Sequence, residues 1–365
     1  MRILLTGANG FLGNQLMAGL RARGHEMVAA VRNPAAFRLK WPGVETLTVN
    51  FNRDTSSEAW RSRLAGVEAV INCAGVLHGG RGQDIEAIHA TAPIALFDAC
   101  AAAGVRRVVQ VSAISADDEA GTEYALTKKR ADDHLHGLQI DWTILRPSLV
   151  YGEGSYGGTS ALRGLAGLPW ASLLPGDGSA AFRPIHIDDL IETVARVVEN
   201  DRFARQTLEP VGPEVVTLRD LVGKYRAWLG LAPARAIAIP MPLMRVAARI
   251  ADFAGGGPLG TASLRQLEFG NAGKEPATAF AGKIGFTPRG MDEMLGRRPA
   301  QTQDLWHARL YFLRPLLRTA LVLLWLGSAL AGVLAPVASY VMVDAAFSSL
   351  GLPSRPLALA FSGAD

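Results

Sequence analysis

Apolar residues fall in short runs through the first 150 positions, and longer stretches patterned for helices lie between them. Ile3–Leu5 is the first run, and Phe11 to about Arg23 then carries apolar residues at helical spacing. Further runs at Met27–Val31, Glu45–Phe51, Ala69–Cys73, Arg107–Val111 and Trp142–Leu145 read as strands. Ile85–Ala103, despite Pro93, and Tyr124–Leu135 read as helices, the second with Lys128, Lys129 and Arg130 at exposed positions. Strands that are apolar throughout, rather than alternating, predict a parallel sheet covered on both faces. The expected fold class is α/β, with a doubly wound parallel sheet over residues 1–150.

The pattern changes after Tyr151. Residues 151–178 are rich in Gly, Ser and Pro. Strand-then-helix character returns over Pro184–Asn200, with Asp188 expected to cap a helix over Leu190–Val198. An amphipathic helix is expected over Leu243–Phe253. Residues 151–295 therefore read as a smaller substrate lobe, some of whose elements return to the core. No internal repeat is found. Residues 296–314 read as a basic linker with Trp306, Tyr311 and Phe312, composed like a segment at a membrane surface.

Thr319–Val343 carries no charge over 25 residues. Within the 315–365 segment, Pro315–Leu334 suits a transmembrane helix of ~30 Å, about one hydrocarbon core, which Pro336 is expected to end. Arg297, Arg298, Arg309, Arg314 and Arg318 precede the uncharged stretch, while only Asp344, Arg355 and Asp365 carry charge after it. That bias predicts a membrane protein whose N-terminal domain lies on the cytoplasmic side, with the lipid bilayer as a partner. A buried core or interface helix is the alternative. A second apolar run, Leu357–Phe361, gives the tail the look of a membrane domain cut short, or of a tail whose partner is elsewhere.

Composition narrows the chemistry. The 365-residue chain has a net charge of +4, and its basic residues are not clustered with aromatics, so no nucleic-acid partner is expected. Cys73 and Cys100 sit in apolar runs and read as core thiols in a reducing compartment. No CxxC or HExxH spacing occurs, so no metal site is expected. The chain enters its first strand at once, without a basic-then-apolar leader.

Between the first strand and the first helix stands Thr6-Gly7-Ala8-Asn9-Gly10-Phe11-Leu12-Gly13. Gly7 permits a tight turn, Gly10 lets a pyrophosphate approach the backbone, and Gly13 lets the helix pack closely. The helix N-terminus offers free N–H groups to phosphates. This context, strand before and helix after, points to a dinucleotide. Arg32 ends the second strand with no carboxylate nearby, which favours NADP(H) over NAD(H), because an arginine accommodates a 2′-phosphate. Tyr124 and Lys128 stand four apart on a helix, so phenol and ammonium share one face. The cation is expected to lower the tyrosine pKa, which suits proton transfer to a carbonyl or from an alcohol. His186 and Asp188 read as a strand-end histidine and a helix cap, and Asp117–Glu119 as an exposed loop.

These motifs resemble a short-chain dehydrogenase/reductase of the extended or atypical, epimerase/dehydratase-like kind, with the Rossmann fold, over residues 1–295. The resemblance rests on the glycine motif, Asn72-Cys73-Ala74-Gly75, Val111-Ser112-Ala113, Tyr124-x-x-x-Lys128, Leu145-Arg146-Pro147-Ser148-Leu149-Val150-Tyr151-Gly152 and Pro184-Ile185-His186-Ile187-Asp188-Asp189. It is closest to the branch of the nucleotide-binding accessory subunit of complex I, and residues 310–365 resemble the start of a DoxX-like membrane domain. The resemblance implies Tyr124 as acid/base, Lys128 on the nicotinamide ribose, and Ser112 on the substrate carbonyl. It places Asn9, Phe11 and Leu12 with the glycines at the pyrophosphate, Asn50 at the adenine amine, Ala74 and Gly75 along the cofactor, and Pro147–Val150 near the nicotinamide. Ser112 precedes Tyr124 by 12 positions, closer than in extended members. The expected function is a membrane-anchored NAD(P)H-dependent oxidoreductase acting on a small-molecule carbonyl or alcohol. Two alternatives stand beside it: a non-catalytic NAD(P)H-binding subunit of a membrane, respiratory complex, and an NAD-dependent epimerase or dehydratase.

Overall fold

The computed structural model describes residues 1–334 apart from 78, 81 and 254–259. The chain divides into two units, Met1–Ala308 and Arg309–Asp365.

Seven parallel strands form the main sheet of the first unit. They are β1 (Arg2–Thr6), β2 (Glu26–Val31), β3 (Glu45–Thr48), β4 (Ala69–Asn72), β5 (Arg107–Val111), β6 (Asp141–Leu145) and β7 (Gln206–Leu208). Their order across the sheet is β7-β6-β5-β4-β1-β2-β3. Alternate residues serve opposite faces. Ile3, Leu5, Ala29, Ile71 and Val109 enter one core, while Leu4, Val28, Ala30, Val70 and Val108 enter the other. Burial on both faces is why these strands are apolar throughout. Strand order reverses between β1 and β4, and the crevice beyond the strand ends at such a point is where ligands bind in this architecture.

Local chemistry sets the helices. Helix α1 (Phe11–Ala22) starts from Gly10. Helix α2 (Ala92–Ala103) continues a π-helical turn over Ala87–Thr91, and Pro93 stands within this one helical run, just after the turn that widens its hydrogen-bond register. Helix α3 (Glu123–Gly137) is capped by Thr122, whose Oγ1 accepts from Ala125 N. Helix α4 (Ile187–Glu199) is capped by His186 rather than Asp188: His186 Nδ1 accepts the Asp188 N–H at 3.2 Å, so Asp188 lies inside the first turn. β3 stops at Thr48 rather than Phe51. A turn held by Asn52 N donating to Asn50 Oδ1 at 3.1 Å and Asn50 N to Asp54 Oδ2 at 2.6 Å takes over.

Residues after Tyr151 build a third core around Tyr151, Leu162, Leu174, Phe182, Leu221 and Met291. β7 comes from this span and returns to the sheet beside β6. Residues 296–308 take part in the same packing. Trp228 Nε1 donates to Arg298 O at 2.7 Å, and a Cβ on Gly167 would lie 2.7 Å from the Ala308 carbonyl carbon.

In the second unit, α5 (Leu313–Leu334) carries Pro315 in its first turn. The helical stretch Thr302–Ala331, whose first residues belong to the first unit, is, among the described residues, the one long and apolar enough to cross a membrane, with a mean hydropathy of 1.4. The expected helix end at Pro336, Asp344, Arg355, the run Leu357–Phe361 and most of the DoxX-like segment lie outside the described residues.

Candidate functional site

The glycine turn closes β1 onto α1. Gly7 has φ +67°, and Gly10 N donates back to Gly7 O at 2.9 Å. The three glycines do different things. A Cβ on Gly7 would lie 2.8 Å from Ala74 N, and one on Gly13 would lie 2.2 Å from Gly7 O. Both positions exclude any side chain on structural grounds. Gly10 has an ordinary φ of −73°, and a Cβ there would meet Gly7 O at 3.2 Å and the Tyr156 hydroxyl at 3.5 Å. The φ at Gly10 suits any residue, but a Cβ there would press on the Gly7 carbonyl oxygen and narrow the space in front of the helix. First-turn N–H groups lack helical acceptors, so this cradle fits the phosphates of a dinucleotide. Asn9 is exposed, and Phe11 and Leu12 are half-buried at the start of α1.

Ala74 and Gly75 follow β4 and run beside this turn. Beneath them a buried polar line crosses the strand ends: Thr6 Oγ1 donates to Asn72 Oδ1, and Asn72 Nδ2 to Gln110 Oε1 at 2.7 Å. Cys73 Sγ donates to Thr6 O at 2.9 Å, and burial pushes its thiol up to about 12. Both cysteines are free.

Tyr124 and Lys128 meet here on α3. Lys128 Nζ lies 5.7 Å from the Tyr124 ring centroid, 3.5 Å from where a Cβ on Gly75 would be, and donates to Val111 O at 3.2 Å. Lys128 is buried rather than exposed, and burial lowers its pKa against the opposing pull of Asp132 and Cys73. The expected lowering of the tyrosine pKa is reversed. Burial raises the Tyr124 phenol above its ordinary value, and the Asp132 carboxylate adds to the rise. Ser112 is buried, and its Oγ donates to Asp132 Oδ2 at 2.8 Å, the oxygen that also accepts from Arg146 Nε at 2.9 Å.

The other anticipated residues sit at neighbouring strand ends. Arg32 is exposed after β2, where Asn33 Oδ1 caps the next helix by accepting Ala36 N at 3.1 Å. Asn50 is half-buried and spends its Oδ1 on the turn after β3. Pro147 is buried after β6, its carbonyl accepting Ile114 N at 3.3 Å, and Val150 begins a two-residue strand paired with Ile185.

Three residues at the site escaped the sequence reading. His89, in the π-helical turn, is 1% exposed. Its Nε2 accepts Val76 N at 2.9 Å, so the ring proton is on Nδ1, 3.1 Å from Thr127 Oγ1. Its ring meets the Tyr124 ring edge-on, with centroids 5.2 Å apart. Burial, reinforced by Lys128, pulls its pKa down to about 2, so it is neutral. Asp132 stands four and eight positions beyond Lys128 and Tyr124, a spacing that does place it on their face of α3. Its Oδ1 is buried with no hydrogen-bond partner among the described residues, and burial raises its pKa. Tyr156 reaches the glycine turn from 145 positions away, which no local signal could show.

Residues 7–164 match a family model described as NAD(P)H-binding. A 3-diazoavenalumate denitrifying reductase of a Streptomyces species is 28% identical over 65% of this chain and 84% of its own length. The ceramide reductase of Caulobacter vibrioides is 24% identical over 68% of this chain and 77% of its own. A mitochondrial complex I protein of Arabidopsis thaliana, NADH dehydrogenase (ubiquinone) 1 alpha subcomplex subunit 9, is 25% identical over 68% of this chain and 62% of its own. Among solved structures, the UDP-glucose 4-epimerase of Thermus thermophilus, in complex with NAD, superposes with a TM-score of 0.60 over 85% of this chain and 99% of its own, at 21% identity. The chain thus has a Rossmann fold like that of the NAD-bound epimerase, part of it matching an NAD(P)H-binding family model, and complex I subunits are among its relatives.

Proposed function

We propose that this chain is an NAD(P)H-dependent short-chain oxidoreductase that interconverts a carbonyl and an alcohol, with its first unit held at a membrane by α5. A nicotinamide dinucleotide, when bound, supplies or accepts the hydride. The glycine turn binds its phosphates, and Lys128, reaching Gly75, serves the sugar side of the cradle. Tyr124 moves the proton. Its raised pKa keeps the phenol neutral at physiological pH, which equips it to donate to a carbonyl oxygen as that oxygen gains negative charge. His89 holds the Tyr124 ring and the backbone at Val76 in one piece. The observation that carries the proposal is the meeting of the open Gly10 cradle with the Tyr124–Lys128 pair across Gly75. NADP(H) is the favoured cofactor, through exposed Arg32. Five arginines before the uncharged stretch favour a cytoplasmic catalytic unit.

The test is to follow NADPH and NADH oxidation by the full chain in detergent over aldehydes and ketones, lipid carbonyls included because one relative is a ceramide reductase. Turnover lost in Tyr124→Phe, with cofactor affinity kept, supports the reading. Two observations favour a second one: Ser112 spends its hydroxyl on Asp132, and a complex I subunit is a relative. On that reading the chain is a non-catalytic NAD(P)H-binding subunit of a membrane complex. Absence of turnover over the whole panel, with co-purifying membrane subunits that survive Tyr124→Phe, decides for it.

A further inference from the structure

The loop after Val150–Tyr151 reaches back over the glycine turn. Gln15 Nε2 donates to Glu153 O at 3.2 Å, and the Glu153 carboxylate pairs with Arg298. The Tyr156 hydroxyl accepts the Phe11 N–H at 3.2 Å, and the two rings meet edge-on with centroids 6.4 Å apart. The same hydroxyl lies 3.5 Å from where a Cβ on Gly10 would stand, so it faces the space that Gly10 leaves open. Little packing holds the ring: Tyr156 is 63% exposed, and the chain turns on either side at Gly154 (φ +73°) and Gly157 (φ +70°).

We infer that Tyr156 is a ligand of the cofactor's diphosphate, its hydroxyl donating to a phosphate oxygen in front of Gly10. The inference rests on reading the glycine turn as the dinucleotide site. A hydroxyl both donates and accepts. Here the accepting side is spent on Phe11 N–H, which leaves the O–H to donate to the incoming anion. Phe11 N–H is itself a first-turn donor that a phosphate could take. The tyrosine passes that donor outward and adds a neutral partner from a separate part of the chain. Hydrogen bonds to charged groups are the stronger kind, so the contact weighs on affinity.

Calorimetric titration of the full chain in detergent with NADPH, NADH, ADP-ribose and inorganic pyrophosphate tests this. Tyr156→Phe keeps the ring contact with Phe11 and removes only the hydroxyl. The expected result is roughly tenfold or greater weakening of NADPH, NADH and ADP-ribose alike, with thermal stability unchanged. Unchanged affinity overturns the inference. Tighter binding also overturns it, since the phenol then competes with phosphate for Phe11 N–H. A wild-type chain that binds pyrophosphate but neither dinucleotide overturns the dinucleotide reading itself, an outcome distinct from failure of the Tyr156 contact.

Discussion

The two halves of the site spend their polar groups in opposite ways. At the glycine turn the donors are backbone N–H groups at a helix end, with the Phe11 N–H met by the exposed Tyr156 hydroxyl, and Gly10 adds no side chain in front of them. At the Tyr124 corner almost every polar atom already has a partner inside the protein: Ser112 with Asp132, Asp132 with Arg146, Lys128 with Val111 O, and His89 with Val76 and Thr127. On the proposed function the first half receives a charged ligand and the second sets the protonation state of one phenol. Binding machinery of the first kind follows from local sequence, whereas an electrostatic setting depends on residues that only the fold brings together.

The largest expected effect separates the halves. Tyr124→Phe should lower turnover by ~10²–10⁴-fold while dinucleotide affinity, measured by calorimetry, stays within about threefold. The same phenol gives a pH signature. Because its pKa is raised, the protonated form persists well above neutrality, so carbonyl reduction should show no loss from this group between about pH 6 and 8. Alcohol oxidation needs the phenolate and should rise about tenfold per pH unit over that range. A flat oxidation profile would place the proton transfer elsewhere.

His89 ties the halves together, and its effect is on stability. A neutral buried histidine with a folded pKa of about 2 stabilises the fold fully above the ordinary value near 6.5. That contribution is lost as pH falls below about 6.5. Between about pH 7 and 5 the wild type should therefore lose about 2 kcal/mol more than His89→Gln, read from urea midpoints. Equal losses would show that His89 is not held neutral. The smallest effect belongs to the adenosine side. Arg32→Asp should lower NADPH affinity by roughly tenfold and leave NADH nearly unaffected, through repulsion of the 2′-phosphate. Equal affinities of the wild type for both cofactors would end the NADP preference.

Much of the first half was legible because its causes are local. Apolar runs located β1 through β6 to within a few residues, since burial on both sheet faces requires such runs, and the glycine spacing between β1 and α1 marked the turn. β7 was not legible: it is three residues long and enters the sheet from the lobe. Asp188 was misread as a cap because the imidazole of His186 does that work, and histidine gives a weaker cap signal than aspartate. The tyrosine–lysine pair was found by spacing, but its electrostatics were not. The sign of the Tyr124 shift depends on burial and on Asp132, and the ring's orientation depends on a histidine 35 positions earlier in a π-helical turn. Lys128 looked exposed because a lysine usually is; the carbonyl at the end of β5 holds it inside.

Calorimetry on the full chain reads whether the strand-end crevice takes a dinucleotide over Gly10. NADPH or NADH should bind the wild type saturably, and Gly10→Val should abolish binding while staying folded, with a stability loss of about 1 kcal/mol from the poorer N-cap. Gly13→Ala, whose Cβ would fall 2.2 Å from Gly7 O, should instead lose stability by about 1–3 kcal/mol or more. A folded Gly10→Val that still binds either dinucleotide with wild-type affinity, or a wild type that binds neither, would contradict the account.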